Sequence, residues 1–370
     1  MISNNDNNIQ NTFIAVCISK WHLNNLISIL LQGKFKKGKL YILPQKNILD
    51  GSKYRISKDD LLQYSSFFED IIFCDQIKSN YKILLFNILN SSILGRRWEK
   101  EFFHIFNPGG INFKLYGITK INRKIIFNEL DEGTASYVNP VDHVKIADKT
   151  NSKHLNYNKV KTKLWVKKTL IFVCYNLLKI KKENYFLFLK KGTNLIPNLK
   201  VANGLNTFYT NKEKATIENS EKSILILKDF DEKILPYHII LEVYVNLLKQ
   251  CSMDIYQIYI KRHPNDVDEK FEMDIKSVFK KCKFLDNSRD AETIVNVLKP
   301  SFVIGGISTS TFTIPYIFDT PTISILKIYN QYLGLDIDYK ERFQVFISFF
   351  DKSEIIFIEK IEELKELIKK

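Results

Sequence analysis

Three short polar strings in this chain could do chemistry: Asp131-Glu132-Gly133, Lys261-Arg262-His263-Pro264, and Gly305-Gly306-Ile307-Ser308-Thr309-Ser310. The first sets two carboxylates beside a glycine that permits a sharp change of chain direction. Neighbouring side chains on an extended backbone point to opposite sides, so one of the two acids faces any cleft the strand borders. A carboxylate in that place can take the proton of a hydroxyl as its oxygen attacks. The second string is a cationic cluster suited to a phosphate, closed by a proline that lacks an N–H and fixes φ. His263 can also protonate a leaving phosphate oxygen. The third offers amides and hydroxyls ahead of a helix expected over 312–318, where unpaired N–H groups attract anions. It is not a Walker loop, because no Gly-Lys-Ser follows. Each string also has an ordinary reading: a turn, a solvated basic loop, a helix cap. A single cap accounts for one hydroxyl, however, and Ser308 to Thr311 supply four in a row. Taken together the strings suggest a transferase site for an anionic, nucleotide-activated donor.

All three must be held in place by the elements before them. Ile125 and Ile126 precede Phe127, Ile258 to Ile260 precede the histidine string, and Phe302 to Ile304 precede Gly305. Apolar runs of this length, ending in polar or glycine clusters, read as buried parallel strands. Ligands of open α/β sheets sit at the carboxyl ends of such strands. Strand-like runs at 13–18, 39–43, 70–74 and 124–128, with 113–116 between the last two, alternate with helical stretches at 21–31, 79–94 and 98–106. A second series follows: strands at 223–227, 257–261, 283–285, 302–305, 322–326 and 355–358, with helices at 236–250, 268–280, 291–298 and 361–368. Pro315 requires the helix at 312–318 to start late or kink. Alternation of this kind implies α/β parallel sheets with right-handed crossovers. The expected division is an N-terminal Rossmann-like domain over 1–200, a linker over 201–220 where composition turns to Asn, Thr, Gly and Lys, and a C-terminal Rossmann-like domain over 221–370 closed by a helix.

The chain has 370 residues, enough for two domains, and a net charge of +14 that calls for an anionic partner. Nucleic acid, an anionic membrane and an anionic substrate all qualify. Between residues 159 and 191 there are ten lysines and one acid, Glu183, interleaved with apolar residues. A helix there would carry Leu170, Val173, Leu177 and Ile180 on one stripe, with Trp165 near its start and Lys167, Lys168, Lys179, Lys181 and Lys182 at its ends. Such a helix suits an anionic membrane surface, although an ordinary core helix with solvated ends has the same pattern. No run of about 18 apolar residues marks a membrane span, and the Asn-rich residues 1–11 do not resemble a secretory signal. Cys17, Cys74, Cys174, Cys251 and Cys282 are odd in number and lack metal spacing, which fits a reducing compartment. His22, His104, His143, His154 and His238 form no i, i+4 pair, and no metal is expected. The Asp-x-Asp strings at Asp229/Asp231, Asp266/Asp268 and Asp336/Asp338 are read as chance spacings.

The ordered set of an acid-acid-Gly string, a His-Pro string and a Ser/Thr pair resembles the bacterial sialyltransferases of GT-B fold. These include the lipooligosaccharide sialyltransferases of glycosyltransferase family 52 and the capsular polysialyltransferases. The resemblance runs from about Phe13 to Leu326 and lies in the order and placement of short motifs; the opening 13–22 matches only loosely. It implies a GT-B architecture, two Rossmann-like domains facing a central cleft. It also implies Glu132 as general base, with Asp131 a structural or pKa-tuning neighbour. His263 falls on the residue that contacts the phosphate of CMP and helps it leave. Ser308 and Thr309 fall on the pair that binds phosphate or the sialic acid carboxylate, and Ser310 and Thr311 allow the register to shift by one. Lys261, Arg262, Pro264, Gly305, Gly306 and Ser310 complete the donor side. The implied activity is inverting transfer of sialic acid from CMP-sialic acid, without metal or other cofactor, to a galactose-type hydroxyl of a bacterial surface glycan. That glycan would be a lipooligosaccharide or a lipid-linked O-antigen unit, met by a peripheral enzyme on the inner face of the cytoplasmic membrane. Open alternatives are a capsular polysialyltransferase, a transferase of another CMP-activated 2-keto sugar acid such as Kdo, and a catalytically silent scaffold. A nucleic-acid-binding protein would also explain the charge, but the lysines cluster with aliphatic residues and no nucleic-acid module is recognisable. Homodimerisation is left open.

Overall fold

A computed structural model describes residues 11–33, 35–44, 53–93, 102–108, 113–121, 124–133, 162, 165–166, 169, 181–191, 194–212, 222–228, 235–251, 256–263, 266, 269–287, 289–306, 308–332, 347 and 354–369. The chain forms two compact units, Met1–Leu187 and Phe188–Lys370.

The first unit is built on six parallel strands: β1 (Thr12–Cys17), β2 (Gly38–Ile42), β3 (Phe68–Phe73), β4 (Phe102–Pro108), β5 (Lys124–Leu130) and β6 (Lys181–Tyr185). Their order is β3-β2-β1-β4-β5-β6, every pair parallel. Helices α1 (Lys20–Gln32), α2 (Lys58–Leu62) and α3 (Tyr81–Ile93) belong to the same unit. One sheet face buries Ile14, Val16, Ile105, Ile125 and Phe127 against Leu115 and Tyr116 of a short 3-10 turn at 113–117. Buried Asn87 of α3 locks that turn: its side-chain amide donates to the Thr119 carbonyl at 2.7 Å and its oxygen accepts from Ile121 N at 2.8 Å. The other face packs Phe13 edge-on against Phe35, Phe68 and Phe106.

The second unit repeats the plan. Strands β9 (Ser223–Lys228), β10 (Gln257–Arg262), β11 (Lys283–Phe284), β12 (Phe302–Gly305), β13 (Thr322–Ser324) and β14 (Ile355–Phe357) lie in the order β11-β10-β9-β12-β13-β14, again all parallel. An antiparallel hairpin, β7 (Phe188–Lys191) and β8 (Asn194–Pro197), precedes it. The helices are α4 (Leu199–Lys212), α5 (Tyr237–Cys251), α6 (Lys270–Val278), α7 (Ala291–Leu298), α8 (Thr309–Phe318), α9 (Leu326–Tyr332) and α10 (Glu363–Lys369). Leu225, Leu227 and Val303 pack under Ile294, Val295 and Leu298 of α7 and Ile314 of α8. Both units therefore have the doubly wound Rossmann order, which reverses direction between their first and fourth strands. The α/β class and the two Rossmann-like units are as the residue pattern led one to expect.

Three expectations are corrected. Residues 98–106 read as a helix, but Phe102–Pro108 is strand β4; a short continuous apolar run has no periodicity to tell a buried strand from a helix. The units divide after Leu187, not near residue 200, and Leu199–Lys212 is a helix where the linker of 201–220 was expected to begin. Its asparagines hide a stripe of Val201, Ala202, Leu205, Phe208 and Tyr209, all buried. Lys181 and Lys182 stand on β6 rather than at the end of an amphipathic helix. Each faces an acid, Lys181 with Glu183 at 2.9 Å and Lys182 with Glu129.

Candidate active site

Strand β5 ends at Leu130, and the chain turns at Gly133, which has φ of 80°. That left-handed backbone is the reason a glycine is needed there. The preceding acids are split as alternation requires. Asp131 is 1% exposed, and both of its oxygens accept from backbone amides: Oδ1 from Gly133 N at 2.6 Å and Oδ2 from Leu187 N at 3.0 Å. It is a structural carboxylate that ties the end of β5 to the end of β6. Glu132 is exposed.

In the second unit the other two strings gather at the switch point. Gly305, the end of β12, pairs in register with Leu227 on the central strand β9, and β10 lies on the opposite side of β9. His263 follows β10 and is half-buried. Lys261 is 4% exposed, donates to the Arg262 carbonyl at 3.1 Å, and has its pKa pulled down by burial against the opposing pull of Glu292, Asp290 and Asp286. Arg262 lies 3.6 Å from Glu272 of α6. Successive side chains thus sort to the two faces of the sheet, Lys261 toward α7 and Arg262 toward α6.

Gly305 and Gly306 are buried, and a Cβ at Gly305 would come within 2.3 Å of Thr311 Oγ1. The absence of a side chain lets α8 start directly over the strand end. Ser308 caps α8 without using its side chain, and Ser308, Thr309 and Ser310 are half-buried. The hydroxyls of Ser308 and Thr309 stand beside the first amides of α8, a cradle of the kind that helix starts offer to anions, while the Ser310 side chain bonds to Glu292. Thr311 is different: its hydroxyl is buried against Gly305 and belongs to the packing. Pro315 lies inside α8, which begins at Thr309, three residues before the expected start at 312. Pro264, Lys167, Lys168 and Lys179 lie outside the described residues. Trp165 is described and is 67% exposed.

Three residues of this neighbourhood escaped the motif reading. Glu292, in the first turn of α7, is buried, accepts from Thr313 Oγ1 at 3.1 Å and from the Ser310 side chain, and has its pKa raised by burial and by Asp290. Lys228 closes β9 with a wholly buried side chain, and Asp266, set aside as part of a chance Asp-x-Asp, is its partner at 3.1 Å. The signal for Lys228 was present, since it too is a charge at the end of an apolar strand. Glu292 had none, because its contact with Ser310 joins two helix starts that only the fold brings together. Among the described residues, no group of three His, Cys, Asp or Glu is placed to hold a metal ion, and no helix is long and apolar enough to cross a membrane.

The family model described as alpha-2,8-polysialyltransferase (POLYST) matches residues 13–327, a span that encloses all three strings. No curated protein sequence matches the chain. Among solved structures, the UDP-GlcNAc 2-epimerase from Neisseria meningitidis bound to UDP-GlcNAc is similar at 10% identity and TM-score 0.46, over 97% of this chain and 90% of that one. The UDP-GlcNAc 2-epimerase from Methanocaldococcus jannaschii gives 11% identity and TM-score 0.45 over 98% and 92%. MurG from Acinetobacter baumannii gives 11% and 0.39 over 97% and 90%.

Proposed function

The chain belongs to the alpha-2,8-polysialyltransferase family, and on that premise we propose that it is a sialyltransferase-type glycosyltransferase using CMP-sialic acid. The reading is carried by one observation: each of the three strings occupies the carboxyl end of a parallel strand, where doubly wound sheets bind ligands. Glu132 takes the proton of the acceptor hydroxyl as its oxygen attacks the anomeric carbon from the face opposite the phosphate. The bond from that carbon to the phosphate oxygen breaks, and His263 donates a proton to the departing CMP. Ser308, Thr309 and the first amides of α8 hold the phosphate, and the Lys261 cation adds to the positive field there. Attack from the opposite face inverts the anomeric centre, and the charge on the phosphate is met by protein cations and amides.

The resemblance to bacterial sialyltransferases implied a galactose-type acceptor. Family membership favours the sialyl end of a growing chain, and a long anionic acceptor also suits a chain of net charge +14. A lipid-linked acceptor would be met at the inner membrane face near the exposed Trp165.

Release of CMP from CMP-sialic acid, in EDTA, with oligosialic acid or a lactoside as acceptor, tests the reading. The expected result is acceptor-dependent release that falls by about 100-fold or more in Glu132→Gln, with CMP binding retained. Product length on a labelled acceptor separates chain extension from single transfer. A wild-type protein that neither releases CMP from the donor nor binds CMP would overturn the proposal.

A further inference from the structure

We infer that Lys228 and Asp266 are positioning residues for His263, a role that rests on the proposed function and adds a part to it. Lys228 is the last residue of β9, the strand between β10 and β12, and its side chain is wholly buried. Its Nζ stands 3.1 Å from Asp266 Oδ2 and 4.9 Å from the centre of the Phe271 ring. Asp266 is 4% exposed and is gripped through its backbone as well. Its N–H donates to the His263 carbonyl at 2.8 Å, and its own carbonyl accepts from Asn287 Nδ2 at 3.3 Å.

A buried ammonium requires a carboxylate. Lys228 pairs with the carboxylate of Asp266, whose N–H bonds back to the His263 carbonyl and closes a turn there. The ion pair therefore fixes that turn to the end of the central strand. The residue before Lys228 on the same strand, Leu227, pairs in register with Gly305, which opens the hydroxyl cradle. The end of β9 thus carries both the ion pair to the turn after His263 and the backbone pairing to the strand that opens the cradle. Stability alone does not ask for a pair of this kind, because well-packed apolar residues in place of a buried ion pair are commonly neutral or stabilising.

Asp266→Asn alone strands a buried ammonium and risks a failed fold, so two other variants carry the test. Lys228→Met/Asp266→Leu removes both charges, and Asp266→Glu keeps the pair while lengthening it by one methylene. Both are expected to melt near the wild-type temperature and to bind CMP within about threefold. Donor turnover, read as kcat, should fall by about 10- to 100-fold, with the alkaline limb of the pH–rate profile, where a general acid loses its proton, displaced. The second readout needs no substrate. The imidazole NMR signal of His263, assigned by its loss in His263→Asn, should shift in both variants more than the signals of the other histidines. Wild-type kcat with an unmoved His263 signal would show that the pair holds the fold only. If the wild type releases no CMP, the functional proposal fails, and the His263 signal still decides whether the pair positions the residue.

Discussion

At the scale of single residues, the two acids at the end of β5 have become different groups through burial alone. Asp131 spends both oxygens on amides, so its contribution is geometric. Asp131→Asn keeps the shape but turns one acceptor into a donor facing an N–H. The expected cost is about 1–3 kcal/mol of unfolding free energy, since a buried amide loses its acceptor. Urea denaturation checks this, and an unchanged midpoint and slope would show that the two bonds contribute nothing. Adjacency and alternation made this division legible in the sequence. The partnership of Lys228 with Asp266 was not legible, because the two are far apart in the chain and Asp266 sits in a string that mimics a metal motif. A buried charge announces itself only when its surroundings are known.

At the scale of elements, α1 shows how a histidine that looked like a stray candidate serves the fold. Ser19 accepts from His22 N at 3.4 Å, and His22 Nδ1 accepts from Ile18 N and Ser19 N at 3.3 Å each, a reciprocal cap with histidine in place of the usual acid. These bonds need Nδ1 unprotonated, and burial pulls the His22 pKa down from 6.5 to about 4. The unfolded chain then binds its proton first as pH falls. The stability from this group is complete above pH 6.5 and is lost between pH 6.5 and about 4, by up to about 3 kcal/mol. Unfolding free energies measured across that range should slope less steeply in His22→Gln, and parallel slopes would refute the assignment. Most elements could be read from pattern: the strands of the second unit, the helices after them, and the glycine-led start of α8. The misreadings share a physical cause. β4 is buried on both faces and has no polar side to reveal its period. The stripe of α4 is interrupted by asparagines that reflect a helix with one dry face. The lysines of β6 continued a charge pattern across an element boundary.

At the scale of the whole molecule, the two units place the proposed base and the proposed donor cradle on separate sheets, Glu132 on the first and His263 with Ser308 on the second. Donor recognition should therefore be a property of the second unit. CMP is expected to slow amide exchange at the end of β10 and the start of α8, leaving the end of β5 unaffected. At a hundredfold excess over its dissociation constant it should raise the unfolding free energy by about 2.7 kcal/mol. Hydrogen exchange with and without CMP checks both, and protection centred on β5 instead would reverse the assignment of sides. The repeated strand order has one more result. An open sheet leaves two rims of unpaired amides and carbonyls, each able to recruit a strand from another molecule. Among the described residues one rim of the first unit is β6, written Lys-Lys-Glu-Asn-Tyr, whose exposed Lys181 and Lys182 are paired with Glu183 and Glu129. A second copy that tried to extend the sheet along this rim would have to bury those charges, so the lysines work as a guard against aggregation.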